Sequence, residues 1–365
     1  MGLDHYVTLG RSGLRVSPLC LGAMTFGTEW GFGTGREESI AQLERYIGRG
    51  GNFIDTANIY TKGHSEAILG EWLATGAGKG LRDRLVIATK FGGGMHVGDP
   101  NGGGSGRKAI MHQVEDSLRR LRTDHIDLLW VHFLDPHTPV DETVHTLDML
   151  VRAGKVRYLG LSDHPAWVCT QMQYEAILKG WVPFVALQIE YSLLQRTVEG
   201  ELMPMARALG LGVTPWGPLR GGVLSGKFDR THRPKDDGST RVRGDSTYLN
   251  ETTFAIVDAL REIGAGHGAT PAQIALRWVM DRAGVTSTIL GARTMAQLED
   301  NLGACTLRLT TEETARLDAL SKPALPFPCD FLHMVRTTTI PGNTRINGTE
   351  PSAWHLAPKD ASERW

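Results

Sequence analysis

Short apolar runs, mostly β-branched or leucine-rich, recur along the chain, and each is followed by a polar loop and an amphipathic segment with helical spacing. Eight such runs stand out, at 17–21, 52–55, 85–89, 126–131, 156–161, 185–188, 212–214 and 286–290. Each reads as a strand buried on both faces, which marks a parallel sheet, and parallel neighbours require crossover helices. Eight strands alternating with helices predict an α/β chain closed into a (β/α)8 TIM barrel. Helix starts are legible at Gly35, before Arg36-Glu37-Glu38, and at Thr270-Pro271, where proline takes the first helical position. Ahead of the first strand, 6–10 and 14–16 flank an Arg11-Ser12-Gly13 turn and predict an N-terminal β-hairpin, expected to lie over the barrel bottom.

Two stretches break the regular spacing: the glycine-rich 92–106 and the polar 229–250. Long loops at the C-terminal ends of barrel strands are functional or disordered. From Lys322 the chain turns proline-rich and aperiodic, with Trp354 and Trp365 near its end. The expected division is a barrel over 1–321 and a C-terminal extension over 322–365, packed near the active-site mouth.

Composition narrows the classes. The 365 residues suffice for such a barrel, which needs about 250. Lys and Arg number 39 against 40 Asp and Glu, a net charge of −1, with no run of five like charges, which argues against a nucleic-acid partner. The longest apolar stretch, 126–134, is interrupted by Asp127 and His132 and falls far short of the roughly 20 residues a membrane helix needs. The N-terminus has no basic patch before an apolar core, so a cytoplasmic protein is expected. Cys20, Cys169, Cys305 and Cys329 are scattered without a CxxC pair, which speaks against a disulfide framework or a thiolate zinc site.

Active sites of such barrels lie where strands end. Four groups fall there: Asp55 closes the second strand, Tyr60 follows in its loop, Lys90 closes the third and His132 the fourth. Singly they read as a turn cap, a core aromatic, a surface cation and a core histidine. Together at consecutive strand ends they suit proton delivery to a carbonyl that receives a hydride. A phenol, with its ordinary pKa near ~10, is a poor acid at neutral pH, and Lys90 is expected to lower that value. Asp55 would hold Lys90 charged, and His132 would bond the substrate oxygen or relay the proton.

The run Asp55-Thr56-Ala57-Asn58-Ile59-Tyr60, continued by Gly63, Ser65 and Glu66, together with the Lys90 strand and the segment from Asp124 to His132, resembles the aldo-keto reductase family. That resemblance implies NADPH-dependent reduction of an aldehyde or ketone to an alcohol, with Asp55, Tyr60, Lys90 and His132 as catalytic tetrad and Tyr60 as general acid. It further implies that Ser162 and Asp163 hold the nicotinamide carboxamide. Asp163 stands where the family has Asn, exchanging an amide for a carboxylate that only accepts when ionised. By the same resemblance Gln188 binds the carboxamide and Tyr191 stacks on the nicotinamide. Trp216, Gly217, Pro218, Leu219, Gly221, Gly226 and Lys227 form the loop over the pyrophosphate. Gly291, Ala292, Arg293, Gln297, Asp300 and Asn301 form the adenosine-phosphate site, and Arg293 near a helix N-terminus suits the 2′-phosphate that distinguishes NADPH from NADH.

Other chemistries fit less well. Gly221 to Lys227 satisfies GxxxxGK, but Phe228 stands where a nucleotide-triphosphate loop needs Ser or Thr. No GxGxxG follows a strand, the nearest match at 264–269 lying at a helix end. There is no HExxH, and His132 with His137 lacks a third ligand, so no metal is expected. Met24, Trp30, Phe32, Phe91 and Phe133 are the candidate pocket residues, favouring a small-molecule carbonyl that is apolar or ring-bearing, such as a cyclic ketone, sugar or secondary metabolite. The alternative the resemblance leaves open is an accessory subunit of a potassium channel that holds the cofactor as a redox sensor. These motifs leave the oligomeric state open.

Overall fold

The structure, a computed structural model, describes residues 2–235 and 241–364. It opens with a hairpin, β1 (Val7–Thr8) and β2 (Arg15–Val16), antiparallel. The alternation that follows is β3 (Leu19–Gly22), α1 (Arg36–Gly48), β4 (Phe53–Asp55), α2 (His64–Leu73) with the single turn α3 (Gly76–Lys79), β5 (Val86–Phe91) and α4 (Arg107–Leu121). Next come β6 (Ile126–Val131), α5 (Val140–Arg152), β7 (Val156–Ser162), α6 (Ala166–Leu178), β8 (Ala186–Glu190), α7 (Leu202–Leu209) and β9 (Gly212–Trp216). The chain finishes with α8 (Glu251–His267), α9 (Pro271–Met280), β10 (Thr288–Leu290), α10 (Met295–Leu302), α11 (Thr311–Leu320) and α12 (Cys329–Thr337).

Strands β3 to β10 form one parallel eight-stranded sheet in the order β10-β3-β4-β5-β6-β7-β8-β9. Its edges meet where Val213 N donates to Gly284 O at 3.2 Å and Thr286 N to Val213 O at 2.8 Å, so the sheet curls into a (β/α)8 barrel. The strands expected from the hydrophobic pattern are all present, shifted by at most two residues; β5, β7, β8 and β9 run further toward the mouth than the apolar runs indicate.

Alternation along each strand sorts side chains into two cores. Cys20, Phe53, Val86, Ala88, Leu128, Trp130, Ala186 and Ile289 point inward and fill the barrel, while Leu21, Ile54, Ile87, Leu129 and Leu161 point outward against the helices. The filling is tight: a Cβ on Gly160 would stand 2.3 Å from the Trp130 ring, so only glycine lets that indole lie across the interior. The hairpin closes the base, with Leu9 and Val16 fully buried in the inner core and Arg11 N bonded to Gly210 O at 2.8 Å.

Helix signals act as read. Gly35 precedes α1 with Glu37 and Glu38 in its first turn, where carboxylates favour the helix dipole. Thr270 and Gln273 form a reciprocal capping box with Pro271 at the first position of α9. No described helix is long and apolar enough to cross a membrane.

Beyond residue 321 the aperiodic reading needs a correction. α12 occupies Cys329–Thr337, with Cys329 against Gly200, and Phe331, Leu332 and Met334 stay exposed. Its hydrophobic residues alternate with Asp330, His333 and Arg336 in too short a span to stand out within the proline-rich tail. Residues 236–240 of the polar segment, and Trp365, lie outside the described residues.

Candidate active site

The inward register that fills the barrel with hydrocarbon below delivers polar groups above. Phe53 and Asp55 share one face of β4; Val86, Ala88 and Lys90 share one face of β5; Leu128 and Trp130 on β6 lead to His132 just past its end. Lys90 is completely buried, and its ammonium spends all three donors: on Asp55 Oδ2 at 2.5 Å, Thr56 O at 2.9 Å and Tyr60 Oη at 2.9 Å. Gln188 Nε2 donates to the other Asp55 oxygen at 3.0 Å. The His132 ring stands edge-on to Tyr60 with centroids 5.9 Å apart. A lysine this buried persists only because every N–H is matched and its counter-charge is in contact.

Tyr60 is set in place by unusual backbone. Thr61, Lys62 and Gly63 follow it at φ 46°, 58° and 90°, three successive residues in the left-handed region where only glycine is at ease. Thr61 Oγ1 bonds Phe26 O at 2.7 Å and locks the turn. The remainder of the motif is scaffolding: Ser65 Oγ bonds Ala23 O, and buried Glu66 takes Thr89 Oγ1 at 2.5 Å and Arg120 Nε at 2.7 Å.

The electrostatics depart from one expectation. Burial pushes the Tyr60 phenol up, the charge of Lys90 pulls it down and Asp55 pushes it up again, and the net position is above the ordinary value, not below it. Desolvation outweighs the ammonium in the closed site. For Lys90, burial acts downward, but Asp55 and the Tyr60 oxygen overcome it and hold the amine charged. Burial, with Lys90 close by, drives the His132 imidazole down to about 2, so it is neutral over the working range.

The residues expected at the cofactor lie on the opposite arc of the mouth. Trp216 ends β9, half-buried, with Nε1 donating to Asp163 Oδ1 at 3.0 Å; Asp163 has φ 53°, a conformation that Asp and Asn tolerate, and Ser162 is buried beside it. After Trp216 the chain turns through Gly217, Pro218 and Leu219 to Gly221, Gly222 and Gly226, with these glycines and Gly217 all left-handed. Lys227 folds back over Gly222, and partial burial together with the charge of nearby Arg293 lowers its ammonium below the ordinary value. In the 291–301 stretch, Ala292 O accepts from Thr25 Oγ1, Arg293 N donates to Gln297 Oε1 at 2.9 Å, and Gly291 and buried Asn301 flank them.

Two assignments from resemblance need correcting, and a third residue is partly engaged. Tyr191 is buried among the outer helices, its hydroxyl on Glu199 at 2.7 Å and its ring edge-on to Trp278, so no face is open to a ligand. Asp300, partly exposed, is the engaged one: one carboxylate oxygen accepts from Thr270 Oγ1 at 2.9 Å and the other from Gln273 Nε2 at 3.2 Å, tying α10 to α9. Phe91 is buried in the outer core, because the residue after an inward Lys90 points outward.

The other residues expected at the pocket stand near one another. Trp30 stands edge-on to Tyr60 at 6.0 Å and 6.0 Å from Phe32, while Phe133, well exposed, stacks on His132. Arg241 joins them from the long segment after β9, 5.2 Å above the Phe32 ring and with Nη2 3.8 Å from Met24 Sδ. Nothing periodic in the sequence points to it. Gln113 was also missed: Oε1 accepts Gly92 N at 2.8 Å and Nε2 donates to Gly104 O at 3.1 Å, which pins both ends of the 92–106 loop to α4.

Comparison with known proteins agrees with this architecture. The model of the Aldo/keto reductase family matches residues 18–322. A putative aryl-alcohol dehydrogenase of Saccharomyces cerevisiae is 35% identical over 330 residues, covering 88% of this chain and 86% of its own. A norsolorinic acid reductase of Emericella nidulans is 37% identical over 336 residues, covering 90% and 84%. An uncharacterized oxidoreductase of Bacillus subtilis is 37% identical over 317 residues, covering 84% and 93%. With a family match over most of its length and an eight-stranded barrel whose polar groups meet at one mouth, the chain belongs to the aldo/keto reductase family.

Proposed function

We propose that the chain is an NADPH-dependent reductase that converts an aryl-bearing aldehyde or ketone to its alcohol, with Tyr60 as proton donor. The observation that carries this reading is the saturated ammonium of Lys90, a buried cation fixed 2.9 Å behind the oxygen of a half-buried phenol. Burial keeps the proton on Tyr60 between turnovers, so the acid is loaded throughout neutral pH. As charge grows on the carbonyl oxygen, Tyr60 releases its proton to it, and the N–H of Lys90 already aimed at Oη stabilises the phenolate left behind. Asp55, pinned by Gln188, keeps the ammonium charged and directed. Neutral His132 offers an N–H to the same carbonyl oxygen without placing a second cation against Lys90.

The residues fit a nicotinamide dinucleotide. Lys227 and Arg293 sit close enough for one to depress the other, a repulsion that a bound phosphate relieves. Arg293 would hold the 2′-phosphate and Lys227 the pyrophosphate over the glycine turn. Trp216 would take the nicotinamide face in place of Tyr191, with Asp163 and Gln188 at the carboxamide. Bound there, NADPH supplies the hydride. Trp30, Phe32 and Phe133 make an aromatic rim, with the thioether of Met24 beside it, suited to a flat substrate, which agrees with the aryl-alcohol dehydrogenase among the relatives.

The test is nicotinamide absorbance decay with purified protein over aromatic aldehydes, cyclic ketones and keto-sugars, NADPH and NADH in parallel. Turnover is expected with NADPH and fastest on aromatic aldehydes. Tyr60→Phe should lower kcat about 100- to 10,000-fold and leave NADPH binding, read by fluorescence, unchanged. Undiminished turnover in that variant removes Tyr60 as the acid.

A further inference from the structure

Eight of the fifteen residues in the 92–106 loop are glycine, so this segment has little side-chain packing to order it. Its base is nevertheless held: Gln113 takes both ends, Asn58 Nδ2 donates to Gly93 O at 3.1 Å and Ser105 N to Asp135 Oδ2 at 2.8 Å. The tip is different. Met95 N to Gly102 O and Asp99 N to His96 O make turns within the loop, and Val97 is fully exposed. From the tip the imidazole of His96 reaches the barrel, its Nε2 lying 3.2 Å from Asp116 Oδ2 on α4, and the Met95 side chain reaches toward Gly63.

A second imidazole completes a cluster. His112, one turn before Asp116, brings Nε2 to 3.7 Å from Asp116 Oδ1, and the two rings lie nearly parallel with centroids 5.0 Å apart. One ligand atom from each of the three residues lies within 4.8 Å of the others. Asp116 itself is buried; burial acts to raise its carboxyl, and hydrogen bonds from Arg119 and His96 bring it below the ordinary value, so it is an anion. Arg119 Nη2 holds Oδ1 at 2.6 Å from a largely exposed position.

We propose that His96, His112 and Asp116 form a binding site for a divalent transition metal of the zinc type, which fastens the tip of the 92–106 loop to α4. Two imidazoles and one carboxylate suit zinc and its neighbours and not magnesium or calcium, which prefer all-oxygen shells. Bonds of about 2.1 Å in a tetrahedron set donor atoms roughly 3.4 Å apart. The two imidazoles face different oxygens of Asp116, His96 Nε2 at 3.2 Å from Oδ2 and His112 Nε2 at 3.7 Å from Oδ1, both close to that value. The remaining closure falls on His96, a half-exposed ring on glycine-rich backbone. Water fills the outward position. Because the same loop springs from the end of β5, one residue beyond Lys90, and Gly93 packs on Ile59 beside Tyr60, metal at this site stiffens one wall of the mouth.

The experiment is calorimetric titration of chelator-treated protein with zinc chloride, followed by hydrogen exchange across residues 95–101 with and without zinc. One ion should bind, magnesium chloride should give no heat, and exchange in the tip should slow. His96→Ala and His112→Ala should each weaken zinc at least about tenfold, since even an outer-shell partner of a metal ligand carries that much. Melting without metal should stay unchanged, both rings being half exposed. In His112→Ala the zinc-dependent slowing of the tip should vanish, although the substitution lies outside the loop. Absence of zinc binding, or affinity unchanged in both variants, overturns the site; zinc binding with no change in tip exchange overturns the fastening.

Discussion

The two ends of this barrel are built by the same alternation and hold opposite contents. At the base, Leu9, Val16, Phe53, Val86 and Leu128 meet as hydrocarbon under a hairpin that shuts out water. At the mouth, two to four positions further along the same strands, Asp55, Lys90 and His132 are equally buried, as is Gln188 on β8, yet each is polar. The base is cohesive because apolar surface is removed from water; the mouth holds because every donor on Lys90 is matched. Stability without chemistry therefore sits at one end, and chemistry that also bears load sits at the other.

Lys90→Met tests the contrast with the largest expected effect. It removes the cation behind Tyr60 and leaves Asp55 buried without its counter-charge, so reductase turnover should collapse and stability should fall by about 3–5 kcal/mol in urea titration. A variant that keeps full stability would mean the mouth bears no load. Leu9→Ala attacks the other end. Opening a cavity beneath the barrel should cost about 2–5 kcal/mol, with kcat per folded molecule unchanged. A fall in kcat would show that the two ends are coupled. The smallest effect sharpens the mouth alone. Folding holds the His132 imidazole neutral, down at about 2, whereas the unfolded chain protonates it near ~6.5. The stabilisation is therefore complete above ~6.5 and lost progressively as pH falls from there toward 2, by up to about 1.4 kcal/mol per pH unit. Urea midpoints at about pH 7.5 and about pH 5.5 should differ, and His132→Gln should flatten that slope.

Much of this was legible in the chain. Continuous apolar runs separated by helical segments gave the barrel, since both faces of each strand are covered. Strand ends located Asp55, Lys90 and His132, because chemistry in such barrels has nowhere else to gather. Phe91 was misread although the signal was present: if Val86, Ala88 and Lys90 face inward, residue 91 cannot. Tyr191 failed for another reason. Motif likeness places a residue on a segment but says nothing of which neighbours claim it, and Glu199 does. Arg241 and His96 were invisible for want of periodicity, each lying in a long segment whose path is set by tertiary contacts. Part of the family motif, Thr56, Ser65 and Glu66, turned out to brace the site and not to enter it.

The left-handed run after Tyr60 has a consequence for thermal adaptation. Thr61 is committed to Phe26, but Lys62 points to solvent and has no described bond from its side chain, while its backbone sits where a side chain costs about 1–2 kcal/mol. A lineage moving to hotter surroundings could take glycine or asparagine there and gain margin beside the reactive hydroxyl without altering it. The turn beside the tyrosine thus holds a reserve of heat tolerance that one substitution at position 62 would release.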